Sequence, residues 1–267
     1  MRKIKFFDFT EQRAQNRVSF YQSVRLASEE KFTEYFQDAH IPAGSISTCD
    51  YESEFNTGGL WRQGSSVAVV SVNRALCSEA LCALTRIRAH KSYRTELEMV
   101  TNELVSNIFQ SNIFSGDVHA IGYVSTNDSL PTLTKNFGSS ERVGLHVDDW
   151  TSEPIMHRGD SPNRLVINLG PDERFFLFVG VSIVYIAKIY KRIYSTSCEN
   201  SSDLCNWYLR NKKNIKVYAV KILPGEAYIA PTENCIHDAF TPNGLANTTF
   251  MLRSNISPKL FDNAKAG

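Results

Sequence analysis

The chain has 267 residues, of which 42% are hydrophobic and 21% are charged, a composition typical of a globular protein that can bury a full core. Its 29 basic and 28 acidic residues leave a net charge of +1. Because a nucleic-acid or anionic-membrane surface attracts strongly basic proteins, this balance argues against both partners.

The cysteines and the amino-terminal residues bear on the cellular compartment. None of the six cysteines lies in a Cys-x-x-Cys pair, and Met1–Phe9 lacks the long apolar stretch of a secretory signal. These features predict reduced thiols in a cytoplasmic protein. The longest apolar run, Phe175–Ala187, is shorter than the roughly 20 residues of a membrane helix, so it predicts a buried strand or core segment.

The first part of the chain is predicted to be helices and loops. Residues 9–39 have apolar positions in a charged background and are predicted to be helical, whereas residues 41–64 are rich in Gly, Ser and Thr. The second region predicts a long loop or short strands, part of which is expected to cover a site. Asn73 is placed to cap a helix over residues 74–90, and Ser92 to cap another ending near Phe109.

From residue 118 the hydrophobic period changes to two, which predicts β-strands. A helix is predicted over residues 201–211, and Gly170–Glu173 is predicted to form a hairpin turn between two of the strands. The predicted strands cover residues 118–125, 142–148, 164–169, 174–179, 215–223, 226–230, the segment around residue 237, and 247–255.

About eight strands after a helical layer favour an α+β, mostly β protein with a double-sheet jelly roll and helices packed on one sheet. We expect one domain over residues 1–267. It would consist of a helical and loop part (1–115), a jelly-roll core (116–256) and a carboxyl-terminal tail (257–267).

A candidate metal site lies in the segment Arg142–Trp150. Its valines and leucine alternate with Gly144, His146 and Asp148, so the imidazole and the carboxylate are predicted to project from one face of a strand. His237 is the best candidate for a third ligand. Two histidines and one carboxylate form the facial triad of non-haem Fe(II) enzymes, which leaves positions open for other ligands.

The order His146-x-Asp148, then about ninety residues, then His237, with Arg253 in a following strand-like run, resembles the Fe(II)/2-oxoglutarate-dependent dioxygenases. The resemblance covers roughly residues 118–255. It implies a cupin-like double-stranded β-helix, metal ligation by the triad, and O2 and 2-oxoglutarate as cosubstrates. In that family an arginine holds the distal carboxylate of 2-oxoglutarate, and Arg253 is predicted to do so here.

The resemblance further implies that 2-oxoglutarate is converted to succinate and CO2 while a small molecule, such as an amino acid or a natural-product intermediate, is oxidised. Because Asp148 is present, hydroxylation, desaturation or cyclisation is favoured over halogenation. Asp149 and Trp150 are expected to line the site mouth. Arg158 and Arg164 are candidates for binding a substrate carboxylate, with ordinary ion pairing as the alternative for each.

Two other interpretations remain open from the residues. One is a cupin-like metal dioxygenase or isomerase that uses the triad without a keto acid, which a position of Arg253 outside the pocket would favour. The other is a jelly-roll binding protein without catalytic activity, in which His146 and Asp148 are incidental. For Arg253 itself, the alternative role is an ion pair with an acidic side chain.

Overall fold

The computed structural model describes residues 4–10, 14, 16–55, 61–89, 94–110, 114–126, 130–136, 138–242 and 247–257. Their architecture is mixed α/β with mostly β content, arranged in two sheets in which antiparallel pairing predominates. This agrees with the predicted α+β, mostly β class. The Ser92 cap and the tail from residue 258 onward lie outside the described residues.

The larger sheet has six strands in the order β1-β4-β9-β6-β11-β5. Only its β1–β4 pairing is parallel among the pairings of the named strands. In chain order its strands are β1 (Lys5–Phe9), β4 (Ser66–Ser71), β5 (His119–Thr126), β6 (Asn163–Asn168), β9 (Glu226–Ala230) and β11 (Asn247–Ser254).

The smaller sheet has five strands in the order β10-β7-β8-β2-β3, all antiparallel. A cluster of buried residues from both sheets, including Phe6, Val166 and Phe176, packs between them and forms the central core. In chain order the strands are β2 (Val18–Leu26), β3 (His40–Thr48), β7 (Arg174–Ser182), β8 (Val217–Ile222) and β10 (Cys235–Phe240).

Helices pack against the outer face of each sheet. The pair α2 (Arg74–Ala89) and α3 (Arg94–Gln110) covers the larger sheet. The pair α4 (Ile183–Tyr194) and α5 (Ser201–Asn211) covers the smaller one, and a short helix, α1 (Tyr51–Phe55), joins the central core through its last residue. Among the described helices, none has the length and apolar character needed to cross a bilayer.

The predictions for α2, α3 and α5 are confirmed within a few residues. Asn73 caps α2 as predicted, since its side-chain oxygen accepts hydrogen bonds from the backbone amides of Ala75, at 2.9 Å, and Leu76. The apolar run Phe175–Ala187, predicted to be a buried strand or core segment, contains both a strand end and the start of α4. Its strand ends at Ser182, whose hydroxyl accepts a hydrogen bond from the amide of Tyr185 and begins α4.

The helix predicted over residues 9–39 is wrong. This region contains the end of β1, the nine-residue strand β2 and a short 3-10 helix over Ala27–Glu30. Strand β2 is stabilised by β8, about 200 residues later in the chain, and by β3, which begins the region predicted as a loop or short strands. A partner as remote in sequence as β8 overrides a local helical pattern.

The predicted hairpin at Gly170–Glu173 is also wrong, because β6 and β7 belong to different sheets. The corner between them is held by Asn168. Its side-chain amide donates hydrogen bonds to the carbonyls of Asp172, at 2.8 Å, and Ile222, at 3.1 Å, while its oxygen accepts one from the amide of Gly170. A side chain thus takes the place of the cross-strand ladder that a hairpin would form.

A buried ion-pair network joins β1 and β9 to Arg17, the residue before β2. The guanidinium of Arg17 lies 2.8 Å from Asp8 Oδ2 and binds both carboxylate oxygens of Glu226, at 2.6 and 2.8 Å. Removing a cation from between two buried carboxylates leaves uncompensated charge. We therefore expect Arg17→Met to lower the free energy of unfolding by about 3–5 kcal/mol, as measured by urea denaturation.

The matched control is Arg86→Gln, which breaks the Arg86–Glu96 ion pair on the surface of α2 and α3. Because exposed pairs contribute little, this variant is expected to differ from the parent by less than about 1 kcal/mol. Equal effects of the two substitutions would contradict the structural role assigned to the buried network.

Candidate metal centre

The segment Arg142–Asp148 was predicted to be a strand, but the structure has it as an extended chain with isolated bridges only. Gly144 interrupts regular pairing because its φ of +69° lies in the left-handed region. The next amide, of Leu145, donates a 2.7 Å hydrogen bond to the carbonyl of His40 at the start of β3. The segment is therefore held at defined points and still projects alternate side chains to one side.

Residues 146 and 237 are joined directly through their backbones. The amide of His146 donates to the carbonyl of His237 at 3.0 Å, and the reverse hydrogen bond measures 2.8 Å. This bridge places the two imidazole centroids 4.6 Å apart. A third backbone bond, from the amide of Asp148 to the carbonyl of Thr232 at 3.1 Å, fixes the carboxylate beside them.

The three predicted ligands form one cluster, with their ligand atoms all within 4.8 Å of one another. His146 Nε2 lies 3.6 Å from Asp148 Oδ1, and His237 Nε2 lies 3.5 Å from Asp148 Oδ2. Cis ligands at about 2.1 Å from an ion are about 3 Å apart. Each histidine–aspartate pair would therefore have to close by about half an ångström for the cluster to bind a metal ion.

Hydrogen bonds to the backbone set the orientation of both imidazoles. His146 Nδ1 lies 2.8 Å from the carbonyl oxygen of Gly144, and His237 Nδ1 lies 3.2 Å from that of Cys235. A carbonyl oxygen can only accept, so each Nδ1 carries a proton and each Nε2 is directed to the centre. Metal-binding histidines are oriented in this way.

A second buried carboxylate, Asp238, supports the cluster and was not identified from the sequence. Its Oδ1 accepts hydrogen bonds from the amides of Leu133 and Thr134, at 3.1 and 3.2 Å, and from the Thr134 hydroxyl at 3.0 Å. Its Oδ2 lies 3.6 Å from His146 Nδ1. The only sequence signal was its position next to His237, which does not distinguish it from any other strand residue.

The charges of the cluster are set by burial and by neighbouring groups. Burial lowers the pKa of His237 to about 4. Burial acts in the same direction on His146, but its interactions with Asp148 and Asp238 outweigh burial and raise its pKa to about 10. Burial opposes ionisation of Asp148, yet the guanidinium of Arg164, at 2.7 Å, holds the pKa of that carboxyl well below its usual range.

This charge distribution matches what a divalent cation requires. The Nε2 atom of neutral His237 and Asp148 Oδ2 are both acceptors, and they face each other at 3.5 Å. A metal cation between these two acceptor atoms would be attracted to both. It would also replace the proton that His146 holds between the carboxylates of Asp148 and Asp238. The residues present therefore fit a divalent metal ion.

A cavity of about 390 Å³ between the two sheets opens beside the cluster. The cavity lining includes two residues of the cluster, Asp148 and His237. It also includes Trp150, Arg164 and Arg174. Trp150 is 41% exposed, and the Arg164 guanidinium lies over its indole ring at 5.3 Å from the centroid. Substrate contact by either residue stays a prediction, and the 2.7 Å ion pair of Arg164 with Asp148 corresponds to the alternative stated for Arg164.

The other two predicted substrate residues, Arg158 and Asp149, form an ion pair with each other. Arg158 is buried, and it donates hydrogen bonds to the carbonyl of Asp148 at 2.8 Å and to the Asp149 carboxylate at 2.6 Å. Neither residue is among the described residues that line the cavity. The pair braces the backbone just after the Asp148 ligand, which corresponds to the ion-pair alternative stated for Arg158.

Arg253 lies directly opposite Arg164 in the β11–β6 pairing. Directly opposite residues share a face of the sheet, so Arg253 points to the same side as the cluster. Its Nη1 atom is 4.0 Å from Oε1 of the buried Glu233, whose other oxygen accepts a 3.0 Å hydrogen bond from the amide of Thr151. Arg253 is not among the described residues that line the cavity.

No protein-family model matches this sequence, and a search of curated proteins found no significant match. The site consists of a buried two-histidine, one-carboxylate cluster beside a cavity, and such a group can bind a metal ion.

A substitution at Gly144 tests how closely the cluster depends on its backbone. A Cβ atom there would lie 2.5 Å from the carbonyl oxygen of His40, and the φ of +69° disfavours any other residue. We expect Gly144→Ala to lower both the thermal stability and the metal affinity. Gly122→Ala is the control, because its φ of +125° is also positive but no atom lies within 4 Å of the added Cβ. Equal loss of metal affinity in both variants would contradict this expectation.

Proposed function

We propose that the protein is an Fe(II)- and 2-oxoglutarate-dependent oxygenase that hydroxylates, desaturates or cyclises a small molecule such as an amino acid or a natural-product intermediate. The observation that carries the proposal is the cluster of His146, Asp148 and His237, with both imidazole Nε2 atoms directed at its centre beside a cavity. Structural zinc sites use four protein ligands, whereas three ligands leave room for exogenous ones.

The donor set favours iron. Two imidazoles and one carboxylate on one side of an ion, with His146 neutral once the ion has replaced its proton, form the triad that suits non-haem Fe(II). Oxygen and a cosubstrate need the adjacent open positions that this triad leaves. Iron with a bound 2-oxo acid supplies oxidation by O2 of a substrate C–H bond, coupled to release of succinate and CO2. His146, Asp148 and His237 would hold the iron, and Arg164 would keep Asp148 ionised and oriented.

The strand order supports a jelly-roll or double-stranded β-helix as the underlying fold. From β5 onward the chain visits the larger sheet, then the bridge at His146 beside β10 in the smaller sheet, then β6, β7, β8, β9, β10 and β11. These segments alternate between the sheets except for the adjacent pair β7 and β8. Eight segments in two facing sheets correspond to the strand count of a double-sheet jelly roll.

Two residues that line the cavity are placed to contact the substrate and to exclude water. Buried Arg164 and half-exposed Trp150 lie at the wall nearest Asp148. There they can contact the substrate and limit the access of water to the ligand cluster. Such exclusion of water strengthens each electrostatic interaction inside the site.

The test is anaerobic loading with Fe(II), followed by addition of O2 and measurement of succinate formed from 2-oxoglutarate across amino acids and related metabolites. We expect substrate-dependent succinate release by the parent protein and none by His146→Ala. Absence of 2-oxoglutarate consumption with every compound offered, from protein that binds iron stoichiometrically, would contradict the proposal.

A second candidate is a cupin-like metal dioxygenase or isomerase that uses no keto acid. It is favoured by the position of Arg253 beside Glu233, because this arginine was the predicted anchor of 2-oxoglutarate. Iron binding without any measurable binding of 2-oxoglutarate would favour this candidate over the oxygenase.

A further inference from the structure

A second arginine, Arg174, lines the same cavity, and no described residue forms a hydrogen bond or ion pair with it. It is the first residue of β7, is 7% exposed and lines the cavity. Among the described residues, none forms a hydrogen bond or ion pair with its guanidinium, and its buried Nε has no hydrogen-bond partner. From the sequence, Arg174 is predicted only to begin a strand.

An unpaired guanidinium in this position is costly unless an anion binds there. A buried charge without a partner destabilises a protein by several kcal/mol, and burial accordingly lowers the pKa of Arg174. Electrostatic interactions with Tyr228 and Asp238 act to raise this pKa, but neither residue forms an ion pair with Arg174. The cavity therefore contains an unsatisfied anion-binding group.

Arg174 lies at a distance from the ligand cluster that one small ligand can span, with one end at the metal and the other at the guanidinium. Phe178, on the same face of β7, is paired with His237 of β10. Arg174 is four residues away along the strand, which is about 13 Å between backbone positions. Its side chain covers part of that distance, so a short dicarboxylate can extend from the ligand cluster to the guanidinium.

We infer that Arg174, and not Arg253, binds the second carboxylate of the 2-oxo diacid, with the Tyr228 hydroxyl as an additional donor. The inference rests on the proposed function for the identity of the diacid. Tyr228 lines the same cavity, and burial raises its pKa to about 12, so its hydroxyl stays protonated and can donate. Arg253 has an acidic neighbour in Glu233 and lies outside the cavity lining.

The experiment compares two ligands of equal length, 2-oxoglutarate and 2-oxopentanoate, which lacks the second carboxylate. Their dissociation constants are measured by calorimetry on metal-loaded protein without O2, so that the readout does not depend on turnover. The parent protein should bind 2-oxoglutarate more tightly. In Arg174→Met this preference should fall by about 10–100-fold, the range for a lost charged hydrogen bond, with little change for 2-oxopentanoate.

Two further variants make the result specific. Arg253→Met is the matched control and should leave both dissociation constants near those of the parent. Arg174→Lys keeps the charge but lacks the planar fork, so it should retain part of the preference. Because Arg174→Met removes an unpaired buried charge, its thermal stability without ligand should equal or exceed that of the parent.

The possible failures are distinguishable. If Arg174→Met keeps the parent preference, or if Arg253→Met loses it, the assignment of Arg174 is wrong while the oxygenase proposal stands. If the metal-loaded parent binds neither 2-oxo acid, both the proposed function and this inference fall.

Discussion

His237→Ala is expected to abolish stoichiometric metal binding. His237 supplies one of the three ligand atoms, and loss of even an outer partner of a metal ligand typically costs 10–100-fold in affinity. We therefore expect a decrease of more than about 100-fold for the ligand itself. Metal at 100 times its dissociation constant should stabilise the parent by about 2.7 kcal/mol and the variant by nearly nothing.

The measurement is urea denaturation with and without Fe(II) under anaerobic conditions, supported by direct quantification of bound iron. His157→Ala is the matched control, because His157 is exposed and lies outside the ligand cluster. Metal-dependent stabilisation of His237→Ala equal to that of the parent would mean that the ion binds elsewhere.

Asp238→Asn is expected to weaken metal binding by about 10–100-fold while preserving the fold. The substitution keeps the shape of the side chain and an oxygen that can accept from the amides of Leu133 and Thr134. It removes the negative charge that lies 3.6 Å from His146 Nδ1. A less basic His146 should bind the ion less strongly, which a competitive chelator titration would measure.

Asp160→Asn provides the control for this second prediction, since Asp160 is exposed and is not part of the ligand cluster. Should Asp238→Asn bind the metal as tightly as the parent, the Gly144 carbonyl alone would be sufficient to orient His146. In that case the buried carboxylate would serve the strand contacts to Leu133 and Thr134 and not the metal.

The sequence determined those features that depend on neighbours along the chain. Helices α2, α3 and α5 follow from local apolar spacing and, for α2, from the Asn73 cap. The pairing of His146 with Asp148 also follows from local geometry. Residues two apart on an extended chain project to the same side, and this holds even though the predicted strand is only an extended segment with isolated bridges.

Tertiary structure decided the features whose partners are remote in sequence. Strand β2 is paired on one side with β8, about 200 residues later, and the Asn168 side chain at the corner after β6 donates to the carbonyl of Ile222. No local pattern contains this information. The predicted helix over residues 9–39 and the predicted hairpin failed for this reason.

The candidate site, too, was predictable from the sequence only in part. The residue types and order of His146, Asp148 and His237 were readable in the sequence, because metal ligation restricts which side chains can serve. Whether an arginine faces the cavity could not be read, since it depends on which strand face each sheet turns inward and on which acidic groups lie nearby. The structure places Glu233 beside Arg253, whereas none of the residues it describes forms an ion pair with the buried Arg174 at the cavity wall. The electrostatics of the folded protein, and not the spacing of residues, therefore favour Arg174 as the anion-binding arginine.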